Sequence, residues 1–385
     1  MSLQILADEN IPAVESYVGA ADRVRRFTGR SLRPEQLADV DVLLVRSVTR
    51  VDEALLGGSP VSFVGTATSG VDHIDRDYLL RRGIGFAYAP GSNANSVVEY
   101  VLAAIAAVGD RLERLLAGGC VGIVGHGVIG KAVAARLQAL AIRYCVYDPW
   151  LEQSTIPHGA DLDDILACDV VTLHPELTRA QPWPSYHLLN ESALRQLDRD
   201  CLLLNASRGA VVDNEALLKL LAAGSSMDVI LDVWEGEPAI SHALLEKVNL
   251  GTPHIAGYSL DGKLLATQML CEAMAAHCDV PWHSPADVTA AVEPLVLPAD
   301  LAGADLLRFL VSSRYDISRD DNALRAVTLD RDVEAATVAF DSLRREYPER
   351  RELAGSRVQA VAASAAELDL INSLGCSVTD PGGLA

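Results

Sequence analysis

The stretch Val121–Gly130, VGIVGHGVIG, limits what this chain can fold into more than any other. A short apolar run, Gly122-Ile123-Val124, leads directly into Gly125-x-Gly127-x-x-Gly130, and Lys131–Leu140 continues with helical periodicity. A strand, a glycine turn and a helix in that order suit a phosphate-bearing dinucleotide. Gly125 permits the tight turn, Gly127 lets backbone approach the pyrophosphate, and Gly130 lets helix and strand pack closely. Free N–H groups at the helix start then face the anion. A second apolar run, Tyr144–Tyr147, ends at Asp148, where an acid accepts hydrogen bonds from the adenosine ribose diol. A carboxylate there repels a 2′-phosphate, so the expected cofactor is NAD and not NADP.

The remaining runs extend the same architecture. Leu3–Ala7, Val42–Val45 and Ser62–Gly65 each end in polar or small residues, and the carboxyl ends of parallel strands form ligand crevices in α/β sheets. Ordinary turn chemistry favours the same residue types, but it gives no reason for Arg46 directly after a buried strand. Asn93–Ser96 precedes a long apolar helix, Val97–Val108, expected to cross between two lobes, with Ser96 and Glu99 at capping-box spacing. Strands at Val121–Val124, Tyr144–Tyr147, Val170–Leu173, Leu202–Leu204 and Val229–Val233 complete a six-strand doubly wound pattern. Leu260–Cys278 reads as an uninterrupted helix. Pro281, Pro285, Pro294 and Pro298 mark a linker, and the last ~85 residues, with short strands such as Val358–Ala362, read as a separate small α+β module.

Charge and cysteine usage narrow the partners. With 32 basic and 52 acidic residues the formal charge is −20, which argues against nucleic acid or an anionic membrane surface. The seven cysteines form no CxxC pair and read as buried free thiols, as in a reducing cytosol, with no metal expected. Cys271, His277 and Cys278 read as helix packing. Asp8 and Glu9 interrupt any apolar start, so no signal peptide is expected.

Three residues beyond successive strand ends can carry chemistry. Arg208 follows Leu202–Leu204, Glu237 follows Val229–Val233, and His254 lies in Thr252–Tyr258. Histidine can remove a hydroxyl proton near neutral pH, glutamate can fix its tautomer, and arginine can grip a carboxylate with two planar donors. Together these suffice to oxidise a 2-hydroxy acid. Asp232 reads equally as a cap or as a cofactor contact.

Gly125–Gly130 with Asp148, NASRGAVVDNEAL, DVWEGEP and TPHIAGYS resemble the D-isomer-specific 2-hydroxyacid dehydrogenases. LADENIP, LLVRSVT, SGVDHID, HIAGYSLDGK and FDSLRREYPERRE narrow the resemblance to a branch whose substrate carries a phosphate. The resemblance implies catalysis by Arg208, Glu237 and His254. It implies NAD contacts from Gly125, Gly127, Val128, Ile129, Gly130, Asp148, His174, Ala206, Ser207, Arg208, Asp232 and Gly257. Substrate contacts are implied for Arg46, Ser47, Thr66, Ser69, Gly70 and Tyr258. The implied fold is α/β, with two doubly wound parallel-sheet domains and a small C-terminal α+β dimerisation domain. A flavodoxin-like substrate domain covers residues 1–92 and 258–285, a Rossmann NAD domain 93–257, and the dimerisation domain 286–385. A cytoplasmic homodimer acting on a small phosphorylated hydroxy acid follows.

Two positions depart from the family pattern: Ala67-Thr68 in the substrate loop, and His126 in the glycine loop, which is expected to face solvent. Arg344, Arg345, Arg350, Arg351 and Arg357 cluster in the tail. Either one of them reaches a partner subunit's active site to bind phosphate, or they form a solvated helix face. The alternatives to the dehydrogenase reading are another member of the family with a different small substrate, and a non-enzymatic NAD-sensing corepressor.

Overall fold

A computed structural model describes residues 2–282, 292–360 and 363–379. Pro285, and the end of the expected strand at residues 361–362, lie outside the described residues. The chain divides into two compact units, Met1–Asn93 with Ser259–Val292, and Ala94–Tyr258 with Glu293–Ala385.

The first unit is built on strands β1 (Gln4–Asp8), β2 (Arg23–Phe27), β3 (Val42–Val45), β4 (Phe63–Thr66) and β5 (Gly85–Tyr88), in the order β2-β1-β3-β4-β5. Every pairing is parallel. β3 and β4 are buried along their whole length, as strands covered on both faces must be. β2 and β5 are edge strands: Arg23, Arg25 and Arg26 of β2 are exposed, and no residue of β5 is fully buried. The helix Leu260–Cys278 starts at Ser259, whose Oγ accepts from the Gly262 N–H at 2.8 Å. It lays Leu270, Cys271 and Met274 against Ile5, Val42 and Phe63.

The second unit holds strands β6 (Cys120–Val124), β7 (Arg143–Tyr147), β8 (Val170–Leu173), β9 (Leu202–Asn205), β10 (Asp228–Leu231) and β11 (Leu250–Gly251), in the order β11-β10-β9-β8-β6-β7. All neighbours are parallel, and chain direction across the sheet reverses beside β6, a topological switch point where doubly wound folds bind ligands. A small parallel sheet, β12 (Leu295–Val296), β13 (Arg357–Gln359) and β14 (Ser377–Thr379), lies in the C-terminal stretch.

That stretch has its own sheet and packs into the core of the second unit. Leu306, Leu310, Val311, Val358 and Ile371 share one hydrophobic core with Val101, Ile105, Val121 and Leu202. The helix Ala94–Ala107 is nearly all apolar because it is covered on both sides, and Val97 through Ile105 are all buried. It lies wholly within the second unit, which corrects the expectation of a helix crossing between lobes. The expected capping box fails as well, because the helix begins at Ala94 and both side chains turn elsewhere. Ser96 Oγ donates to Glu352 at 2.5 Å, while Glu99 accepts from the Leu353 and Ala354 N–H groups at 2.7 and 3.0 Å. Among the described residues no helix is long and apolar enough to cross a membrane.

Candidate active site

The glycine turn is shaped by close packing. Gly125 has φ +91°, and a Cβ there would sit 2.7–2.9 Å from the Pro175 nitrogen and the His174 carbonyl group. A Cβ at Gly130 would lie 1.9 Å from the Gly125 carbonyl oxygen. Gly127 differs: a Cβ there would meet nothing within 4 Å. The helix Val128–Ala139 begins directly after Gly127, and no side chain caps its first N–H groups. These features fit a dinucleotide pyrophosphate. Val128 is exposed, Ile129 is half-buried and Gly130 is buried.

Asp148 stands at the end of β7. Its carboxylate accepts from the His126 N–H at 2.8 Å and the Trp150 N–H at 3.0 Å, which ties it to the glycine turn. His126 does not face solvent as expected. It is buried, its Nδ1 has no partner, and burial, followed by the nearby Lys131 charge, lowers its pKa. The loop folds back under Asp148, and this draws the ring inward. His174, at the end of β8, is also buried, with Nε2 2.9 Å from Thr172 Oγ1. Burial pushes its pKa down to about 3, so the ring is neutral.

Beyond β9, Asn205 moulds the turn that carries Arg208. Its Oδ1 accepts from Ser207 N–H and Oγ at 3.1 and 3.0 Å, and its Nδ2 donates to the Arg208 carbonyl at 3.0 Å. The Arg208 guanidinium donates to the Ser207 carbonyl at 2.8 Å. Ser207 is buried and Ala206 half-buried. A Cβ at Gly209 would stand 1.9 Å from the Trp234 carbonyl carbon, so this turn lies backbone against backbone on the segment leading to Glu237. Asn214 joins the two: it accepts from the Glu235 N–H at 3.1 Å and donates to the Val212 carbonyl at 2.9 Å.

His254 and Glu237 meet directly, with Nδ1 2.8 Å from Oε2. Glu237 also accepts from the Trp234 N–H at 2.6 Å. Burial alone would raise its pKa, but the His254 charge, these hydrogen bonds and the Arg344 charge hold it below the ordinary carboxylate value. His254 has φ +58°, a left-handed conformation that a non-glycine residue adopts at a cost. Asp232 holds it there. The Asp232 carboxylate, 1 % exposed, accepts from Thr252 Oγ1 and Ile255 N–H at 2.7 Å each and from Ala256 N–H at 3.0 Å. Its carbonyl accepts from the His254 N–H at 2.7 Å. Asp232 therefore serves as the anchor of the histidine turn. Tyr100 supports it through a 2.8 Å contact with Thr252 Oγ1.

Arg350 reaches the same turn from the C-terminal stretch. It is buried, stacks on the Tyr315 ring at 3.9 Å, and donates to the carbonyls of Ser96 at 2.9 Å and Ala256 at 3.4 Å. Arg344 hydrogen-bonds Tyr258, and its charge acts on Glu237. The tail arginines thus split: Arg344 and Arg350 turn toward their own chain's site, while Arg345 is exposed and pairs with Glu346 at 2.8 Å. Gly257 and Tyr258 are half-buried, and Tyr258 packs edge-on against Tyr347.

The remaining expected substrate residues belong to the first unit. Arg46 has a structural partner that the sequence did not reveal: its Nε donates to the buried Asp8 carboxylate at 2.9 Å. Ser47 is exposed. Thr66 is fully buried, and its hydroxyl lies 2.9 Å from Thr68 Oγ1 and 2.8 Å from His73 Nε2, so its side chain is committed to shaping the loop. Ser69 Oγ donates to Asn93 Oδ1 at 2.6 Å, beside Gly70.

Sequence reasoning missed Asn205, Asn214, Thr252 and Tyr100 as parts of the site, and offered Arg350 only within a tail cluster that either reaches a partner subunit's site or forms a solvated face. The first three lie inside motifs it quoted; Tyr100 and Arg350 act on partners about 150 and 90 positions away.

Residues 105–256 match the family model for the D-isomer specific 2-hydroxyacid dehydrogenase NAD binding domain, and residues 289–375 match one described as a domain of unknown function. Over 379 residues the chain is 42% identical to the erythronate-4-phosphate dehydrogenase of Marinobacter nauticus, covering 96% of this chain and 98% of that one. It is 43% identical over 390 residues to the enzyme of the same name from Cellvibrio japonicus, covering 97% and 99%. The fold resembles NAD+-bound 3-phosphoglycerate dehydrogenase of Entamoeba histolytica, with TM-score 0.60 and 22% identity over 72% of this chain and 95% of that chain.

Proposed function

The chain belongs to the erythronate-4-phosphate dehydrogenases, within the NAD-dependent D-isomer-specific 2-hydroxyacid dehydrogenases, and from this we propose that Arg208, Glu237 and His254 carry out its reaction. It oxidises 4-phospho-D-erythronate to 2-oxo-3-hydroxy-4-phosphobutanoate in pyridoxal 5′-phosphate biosynthesis. The observation that carries the assignment of roles is the 2.8 Å His254–Glu237 pair, held in a left-handed turn on the same sheet edge as the glycine cradle.

With Nδ1 of His254 donating to the Glu237 carboxylate, Nε2 is left to take the substrate's hydroxyl proton. The imidazolium that forms gains an ion pair already in place. The Arg208 fork suits the substrate carboxylate. When bound, NAD would supply the hydride acceptor. Gly125–Gly130 would hold its pyrophosphate and Asp148 its adenosine ribose, with His174, Ala206, Ser207 and Gly257 lining the remainder. Arg46, Ser47, Thr66, Ser69, Gly70 and Tyr258 are assigned to the substrate, Thr66 through its place in the loop. A cytoplasmic homodimer, assembled through residues 286–385, completes the proposal.

A panel of phosphorylated and plain D-2-hydroxy acids, followed by NADH absorbance, tests this reading. Turnover should be highest with 4-phospho-D-erythronate. Preference for an unphosphorylated acid would move the enzyme to another branch of the family, and binding of NAD with no turnover on any acid would favour the corepressor.

A further inference from the structure

Cys120, Cys145 and Cys168 are far apart in sequence, yet their sulfur atoms all lie within 4.8 Å of one another. The Cys145–Cys168 separation is 3.5 Å. The topology brings them together. Cys120 opens β6, Cys145 is the register partner of Gly122 on β7, and Cys168 lies in the turn before β8. Gly122 makes the space: a Cβ there would sit 3.2 Å from Cys168 Sγ and 2.8 Å from an Ile165 methyl.

We propose that these three cysteines form a thiolate site for one thiophilic, closed-shell cation of the zinc class, with water as its fourth ligand. At a Zn–S distance of about 2.3 Å, tetrahedral sulfurs lie about 3.8 Å apart. Closing the triad onto an ion therefore needs sulfur shifts of only about an ångström. Cys168 is buried while Cys120 and Cys145 are half-buried, so the triad lies at the border of core and solvent.

Cys168 Sγ is oriented by the Asp164 carbonyl at 3.4 Å, and the Asp169 carboxylate fixes the Cys120 N–H at 2.9 Å. Four residues of β6, about 13 Å of strand, separate Cys120 from the glycine turn, so this site is distinct from the cofactor cradle.

The test is titration of the fully reduced, anaerobic protein with Co2+. One equivalent should produce sulfur-to-cobalt charge-transfer absorption that Zn2+ abolishes, and Zn2+ should raise Tm. Cys145→Ser should lose the band, whereas Cys278→Ser, a half-buried thiol elsewhere in the chain, should keep it. Independently of any variant, Zn2+ should slow iodoacetamide alkylation of Cys120, Cys145 and Cys168, mapped by mass spectrometry, without protecting Cys278. The proposal is overturned if the wild type shows no charge-transfer band, if the band survives both Cys120→Ser and Cys145→Ser, or if Zn2+ protects none of the three. A Cys145–Cys168 disulfide found under the titration conditions would also overturn it.

Discussion

His174 shows how one buried side chain sets a pH dependence for the protein. Its folded-state pKa is pushed to about 3 against an ordinary 6.5, so between those values the unfolded chain binds the proton and the folded one does not. Stability is therefore full above about pH 6.5 and lost as pH falls through this window, by about 2 kcal/mol at pH 5 from this residue. In urea titrations, His174→Gln should lose about 2 kcal/mol less than wild type between pH 7 and pH 5; equal losses would place the acid sensitivity elsewhere. Asp148 sets cofactor choice by charge. Asp148→Ala should weaken NAD and lower the kcat/KM ratio of NAD to NADP by roughly tenfold or more, about 1.4 kcal/mol. An unchanged ratio would put the ribose contact on another residue.

At the scale of elements, glycines decide how the loops meet. Gly127→Ala adds a methyl to open space and should change stability by less than about 0.5 kcal/mol while raising the KM for NAD. Gly209→Ala drives a Cβ into the Trp234 backbone and should cost about 1–3 kcal/mol, with a fall in kcat as the Arg208 and Glu237 loops separate. Denaturant curves paired with kinetics distinguish the two, and the reverse pattern would contradict the packing described. The same elements show what was legible in the sequence. β3, β4, β6, β8, β9 and β10 announce themselves as continuous apolar runs because each is covered on both faces. β2, with its three exposed arginines, and the two-residue β11 carry no such signal. The strand-tip placement of Arg208, Glu237 and His254 was readable from motif order. The burial of His126 was not, because a histidine between two glycines reads as exposed loop until the Asp148 contact is seen.

Across the whole molecule, the C-terminal stretch is part of the fold that carries the site. It fills the core beside the helix Ala94–Ala107, pins the histidine turn through Arg350, and sets Arg344 beside Tyr258 and Glu237. Composition alone suggested a detachable module, because a change of sequence character marks a boundary in the chain and gives no information on what packs against it. A chain ending at residue 292 would expose Leu306's and Leu310's partners and should lack a cooperative unfolding transition; a well-folded, NAD-binding fragment would contradict that coupling.

The central claim is that His254 takes the proton, oriented by Glu237. Steady-state oxidation of 4-phospho-D-erythronate by His254→Ala, with folding verified by circular dichroism, tests it most directly. The account predicts a kcat lowered by about 10²- to 10⁴-fold with NAD binding retained. Turnover within a fewfold of wild type would contradict it.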